Sequence, residues 1–230
     1  MADILGKTIP LRFARRTEDE MRRRASAFRE ELATRRSVRH FSSDPVPLDV
    51  LDDCIAAAGS APSGANKQPW HFSVVTDPEI RHALRLAAEA EERQNYAERM
   101  SADWKADLAH LGTDASKPHF DDAPVVVVLF RKPWTPGADG RSKNYYVSES
   151  VGIAAGFFLA ALHHAGLTTV THTPSPMDFC GRILHRPSHE KAFLVMPIGF
   201  PAEGCEVPDI QRFELDQIRS QHTFKQKFEK

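Results

Sequence analysis

The run Pro124 to Phe130, with four consecutive valines and no alternation of polar and apolar residues, most constrains how this chain can fold. A strand with one face in water alternates, so an uninterrupted apolar run predicts a strand buried on both faces. Such a strand needs layers on either side of it, and the chain supplies them. Amphipathic helices are expected over about Thr17 to Thr34 and Pro47 to Ala58, the second ending at Gly59. A highly charged segment from Asp77 to about Leu111 reads as one or two helices, and Tyr146 to Ala165 as another that stops at Gly166. Further strands are expected at Phe72 to Thr76, Leu167 to Thr173 and Ala192 to Gly199, with a loop over Pro133 to Gly140 and a polar end from Asp209 to Lys230. Helices and strands alternate without repeats or a convincing linker, which predicts one α+β domain.

The small residues Gly152, Ala154, Ala155 and Gly156 suit close helix packing in the core and at a subunit interface. The apolar stretch Val151 to Leu162 is shorter than the ~20 residues needed to cross a bilayer. With no apolar segment of signal-peptide length at Met1 to Arg16, a cytoplasmic location is expected, without membrane contact. The 30 basic residues balance 31 acidic ones, so no broad field favours nucleic acid. Cys54, Cys180 and Cys205 are odd in number and far apart, which argues against a disulfide framework, and no ligand spacing for a metal occurs among the histidines.

Against that balanced background Arg35-Arg36-Ser37-Val38-Arg39 is conspicuous. Guanidinium forks match phosphate oxygens, so the cluster is a candidate anion trap, although an Arg-rich helix terminus is by default a solvated one. Downstream, Ala61-Pro62-Ser63-Gly64-Ala65 is a loop of small residues through which backbone N–H groups can approach a flat ligand; an ordinary turn has the same composition. The two segments together suggest flavin mononucleotide (FMN). Neither a Rossmann fingerprint nor a P-loop occurs. Glu92 and Tyr96 are four apart and share a helix face, and Lys117 follows a turn at Gly112. A carboxylate, a phenol and an ammonium at one spot suit a zwitterion, while each alone reads as part of a solvated face. Thr171 and Thr173 flank His172 at a strand end, where a hydroxyl can meet a cofactor.

The segments RRSVRHFS (35–42), APSGANKQPW (61–70), EERQNYAERM (91–100), KPHFDDAPVVVVLF (117–130), AGLTTVTHTP (165–174) and RPSHEKAFLVMPIGFP (186–201) resemble the FMN-dependent nitroreductase superfamily and, within it, the deiodinase branch. The first segment specifies only the superfamily; Glu92, Tyr96 and Lys117 point to the branch. The resemblance runs from about Ala33 to Ile218. It implies a nitroreductase-like fold, a central, mostly antiparallel sheet flanked by helices, in a domain-swapped homodimer with two sites at the subunit interface. An N-terminal helical extension (1–30), the FMN-binding domain (31–218) and a tail (219–230) are the expected divisions.

The FMN contacts implied are Arg35, Arg36, Ser37, Val38 and Arg39, Ser63 and Gly64 from the partner chain, Thr171, His172 and Thr173, and Arg212. Substrate contacts fall on Glu92, Tyr96 and Lys117 around the zwitterion and on the Ala65 N–H at the phenolate. Thr173 is the implied catalytic residue, bonding flavin N5. The activity implied is reductive dehalogenation of iodinated, and by extension brominated and chlorinated, tyrosines, with electrons from an NAD(P)H-linked reductase or another donor. Two alternatives are a general NAD(P)H nitroreductase or flavin reductase, in which Glu92, Tyr96 and Lys117 are incidental, and a non-enzymatic binder of flavin or halotyrosine. His172 stands where the vertebrate members carry threonine, and Ser175 to Gly181 departs from their pattern.

Overall fold

The computed structural model describes residues 8–137 and 140–222. Its centre is β2 (Val125–Arg131), preceded by α1 (Glu18–Ala33), α2 (Leu48–Gly59), β1 (Trp70–Val75), α3 (Pro78–Gln94), α4 (Ala102–Ala109) and α5 (His119–Asp122). After it come β3 (Trp134–Gly137), β4 (Gly140–Lys143), α6 (Val147–His164), β5 (Thr168–Thr169), α7 (Asp178–Ile183), β6 (Lys191–Gly199) and α8 (Leu215–Ile218). The sheet order is β1-β2-β6-β5, with every neighbouring pair antiparallel.

The valine run behaves as its composition requires. Val125, Val127 and Leu129 point into a cluster built with Leu51 of α2 and Val151, Ala154 and Phe158 of α6. Val126, Val128 and Phe130 enter a second cluster with Leu84 of α3, Phe120 of α5 and Phe179 of α7. One strand therefore serves two cores, which is why its sequence cannot alternate.

Two expectations need correction, and the small residues of one helix divide between core and surface. The loop at Pro133 to Gly140 is instead one arm of a hairpin, β3 pairing with β4 through Trp134↔Lys143 and Pro136↔Arg141. Arg141 lies over the Trp134 ring at 4.5 Å, a contact between residues whose neighbours look like loop chemistry. The strand expected over Leu167 to Thr173 is only Thr168–Thr169 plus an isolated bridge at His172↔Val195. Helix α6 divides its small residues: Ala154 and Ala155 are buried, whereas Gly152 and Gly156 face outward beside Ile153 and Phe157, which are 41% and 44% exposed.

The Arg cluster is placed by this sheet. Ser37 bridges Thr169 in parallel, and the Val38 N–H donates to the Thr169 carbonyl at 3.2 Å. Arg35 to Arg39 thus runs along the free edge of β5, next to the strand that leads into Thr171 to Thr173.

Candidate active site

Helix α3 starts where Asp77 accepts from the N–H groups of Glu79 (2.9 Å) and Ile80 (3.0 Å), with Pro78 in its first turn. It buries Leu84, Ala88 and Glu89 and delivers Glu92 near its end. Tyr96 does not continue the α-helix: Asn95–Arg99 is a π turn closed by the Met100 N–H on the Asn95 carbonyl at 2.9 Å. Arg99 holds this turn in shape, donating to Asn95 Oδ1 (3.1 Å), Glu91 Oε2 (3.0 Å) and the Ser175 carbonyl (3.1 Å). Single π turns concentrate at functional sites because they re-aim side chains, and here Glu92 and Tyr96 still meet in one cavity.

That cavity, about 410 Å³, is lined by Arg39, Glu92, Tyr96, Lys117, Thr171, His172 and Thr173, with Met100, Trp104, Leu108 and Leu111 as its apolar wall. Helix α4 supplies Trp104 and Leu108, buries none of its own residues and leaves Trp104 51% exposed. It is a wall with little holding it down.

Lys117 is 4% exposed, and burial pulls its pKa below the usual lysine value while Glu92 and Asp114 oppose the shift. Its Nζ donates to Thr113 Oγ1 at 3.3 Å and to the Asp114 carbonyl, and stands 3.8 Å from Glu92 Oε2. The Tyr96 hydroxyl donates to the Thr113 carbonyl at 3.1 Å; burial and the nearby Glu92 raise its pKa. Glu89 positions Lys117, accepting its backbone N–H at 2.7 Å while Arg85 Nε holds the same oxygen at 2.9 Å. Only the i, i+4 spacing of Arg85, Glu89 and Arg93 hints at this in the sequence, and it reads equally as surface pairing.

On the other wall, Arg39 has a buried Nε with no hydrogen-bond partner among the described residues. Burial lowers the pKa of Arg35, with repulsion from Arg212 and Arg36 next and no carboxylate offsetting them. A buried, unsatisfied guanidinium N–H and crowded cations are the conditions that an anionic cofactor relieves, so the residues fit a flavin phosphate. The cluster is nevertheless divided. Ser37 and Arg39 line one recess, whereas Arg35 and Arg36 open on another across Val38, and Arg36 donates to the Pro208 carbonyl. Arg212 faces the cluster's backbone, donating to the carbonyls of Ala33 (3.1 Å) and Arg35 (2.7 Å).

Ser63, Gly64 and Ala65 do not line the 410 Å³ cavity within the chain. They form a 3-10 turn packed on the start of α6, where Ser63 Oγ accepts the Gln68 N–H at 2.9 Å and a Cβ on Gly64 would meet the Tyr145 carbonyl oxygen at 2.9 Å. Ala65, Asn66 and Gln68 all adopt positive φ (50°, 52° and 47°), so this exposed loop holds a shape that non-glycine residues rarely take.

His119 and His172 complete the site, and only their separate motifs were visible in the sequence. Their Nε2 atoms are 2.7 Å apart. Burial, and then Lys117 and Arg39, push His119 down to about 3; burial and His119 hold His172 well below the usual histidine value.

The sheet has helices on both faces and an arginine-flanked cavity at its edge, an α+β architecture, and residues 32–200 match the nitroreductase family, to which this chain belongs. The chain is 50% identical over 205 residues to iodotyrosine deiodinase of Haliscomenobacter hydrossis, covering 89% of this chain and 92% of that protein. It is 44% identical over 215 residues to iodotyrosine deiodinase 1 of Homo sapiens, covering 91% of this chain and 73% of the relative. Among solved structures, oxidized iodotyrosine deiodinase bound to FMN and 3-iodo-L-tyrosine superposes with a TM-score of 0.74 at 27% identity, covering 86% of this chain and all (100%) of that one. Among the described residues no helix is long and apolar enough to cross a membrane.

Proposed function

We propose that this chain catalyses reductive dehalogenation of halogenated tyrosines with FMN as cofactor. The observation that carries the reading is a single cavity that joins Glu92, Tyr96 and Lys117 to Arg39 and Thr171 to Thr173. Its support is the deiodinase relatives, which match across most of this chain.

Glu92 and Lys117 are paired at 3.8 Å, beyond hydrogen-bond reach, so an amino acid can enter between them with little reorganisation. Its ammonium takes Glu92 and its carboxylate takes Lys117 and Tyr96, so each charge of the pair gains a short ionic partner. Binding at this end brings the weakly held α4 down over the cavity, excluding water and holding the aryl halide in place, so remote binding energy is used for orientation. Arg35, Arg36, Ser37, Val38, Arg39 and Arg212 would hold the phosphate side of FMN, and Thr171, His172 and Thr173 the ring side, with Thr173 acting on N5. Bound and reduced FMN supplies two electrons which, with one proton, replace the carbon–halogen bond by carbon–hydrogen and release halide and tyrosine. Iodo-, bromo- and chlorotyrosine share this chemistry, with electrons from an NAD(P)H-linked reductase or another donor.

Ser63, Gly64 and Ala65 serve the partner's site in a homodimer. The outward face of α6 with Ile153 and Phe157, and the exposed Ile9, Leu11 and Phe13 (89%, 87% and 78%), are the apolar surface that a second copy covers.

Titrating oxidised holoprotein with iodotyrosine, and mixing reduced holoprotein anaerobically with diiodotyrosine, test the function. Alanine at Glu92, Tyr96 or Lys117 should abolish iodotyrosine binding and spare nitroarene reduction. Indifference of both activities to all three changes would favour the general nitroreductase instead, and a reduced flavin that stays reduced with ligand bound would leave only a binder.

A further inference from the structure

We propose that the His119–His172 pair, in which a buried His119 meets a His172 that lines the cavity, is a positioning element that ties the lysine segment of the substrate clamp to the cofactor segment, so that each ligand strengthens the binding of the other. The proposal rests on the function above only in naming the two ligands; the connection itself is a feature of the chain.

The two segments are 53 residues apart between the histidines and come from different elements. His119 opens α5, two residues after Lys117, and is 3% exposed. His172 sits between Thr171 and Thr173 and exchanges both backbone hydrogen bonds with Val195 of β6 (2.8 and 3.0 Å), so its end is anchored in the sheet. The rings are near-parallel, 11° apart in plane with centroids at 4.7 Å, and the Phe120 ring packs on both. Among the described residues, no other side-chain hydrogen bond joins residues 117–122 to 171–175.

At 2.7 Å between Nε2 atoms, one imidazole donates and the other accepts, which requires that the rings not both be charged. The surroundings enforce this: the cations Lys117, Arg39 and Arg85 act on His119, and Lys117 and Arg39 act on His172. A partly buried hydrogen bond held between two anchored segments transmits a displacement of either one. Movement of Lys117 onto a carboxylate is thereby felt at Thr171 and Thr173, and the reverse.

The test uses His119→Phe, His172→Phe, the double variant and His119→Gln in the full chain. Phe keeps an aromatic ring, somewhat larger than imidazole, while deleting the nitrogens; Gln places a polar atom where Nε2 stood. FMN affinity is read from quenching of flavin fluorescence by apoprotein, iodotyrosine affinity from the oxidised flavin spectrum, and folding from apoprotein melting. His119→Phe should weaken FMN by about five-fold or more although it lies on the lysine side, and His172→Phe should weaken iodotyrosine similarly. The double variant should be no worse than either single one, and His119→Gln should recover most of the loss. FMN affinity within about twofold of the parent in His119→Phe, or additive losses in the double variant, would overturn the proposal. Should the Phe variants not fold, His119→Gln against His119→Asn decides: equal FMN affinities in the two would overturn it, since only Gln reaches the Nε2 position. If the parent holoprotein binds no iodotyrosine, the proposed function fails, and the connection is judged on FMN affinities alone by the same criteria.

Discussion

Lys117 Nζ and Glu92 Oε2 face each other at 3.8 Å across a cavity in which the lysine is almost wholly buried. Each is the other's counter-ion without being its hydrogen-bond partner. Removing either therefore strands a charge as well as deleting a ligand contact.

Lys117→Ala should lower iodotyrosine affinity by at least about 30-fold, equivalent to about 2 kcal/mol for losing one member of a buried charge pair. FMN affinity should change far less, because the guanidinium groups remain. Isothermal titration of the oxidised holoprotein with iodotyrosine, alongside an FMN titration of the apoprotein, measures both.

Arg212 reaches two backbone carbonyls, one on each side of Thr34, and so acts on the shape of the Arg cluster. Arg212→Lys keeps the charge but cannot donate in two fixed directions. It should weaken FMN nearly as much as Arg212→Ala, by several-fold, or about 1 kcal/mol for lost charged hydrogen bonds. A lysine that restores FMN affinity fully would show that charge alone matters.

Acid should destabilise the fold through His119. Its pKa falls from 6.5 unfolded to about 3 folded, so between these values the unfolded chain binds the extra proton. Stability is then unaffected by this group above pH 6.5 and is lost progressively as pH falls toward about 3. His119→Phe should flatten this loss, which denaturant titrations at a series of pH values can measure.

Gly64 is pinned against backbone: an added Cβ would lie 2.9 Å from the Tyr145 carbonyl oxygen and 3.2 Å from its carbon. Gly64→Ala should cost about 1–3 kcal/mol, as overpacking against an unyielding neighbour does, and lower Tm by several degrees. Gly59→Ala, at the last residue of α2 and with nothing of this chain within 4 Å, is the control in a thermal melt.

Much of this architecture is written locally. The valine run announced β2 because burial on both faces leaves a composition that no other setting tolerates, and Asp77-Pro78 marked the start of α3 through its cap. The hairpin β3–β4 was hidden because Pro136, Gly137 and Gly140 carry turn signals, and the stabilising contact of Arg141 with Trp134 is a matter of tertiary geometry. Within the site, Arg39 could be singled out by residue type, whereas Glu92, Tyr96 and Lys117, each of which alone reads as part of a solvated face, were legible only through their spacing and the family resemblance. The π turn beneath Tyr96 could not, since it depends on Arg99 reaching Ser175 far along the chain. The histidine pair was equally illegible: each residue has an ordinary local setting, and their meaning lies in meeting.

The doubly buried β2 also partitions the protein. Helices α2 and α6 lie on one side of it, and α3, α5 and α7, with the substrate clamp continuing from α3, lie on the other. Alternate residues of one strand answer to different neighbours, so substitutions that reshape the clamp need not disturb the opposite layer. The opposite layer can then keep its packing when the clamp changes, and the strand itself, buried on both faces, is the part least free to change.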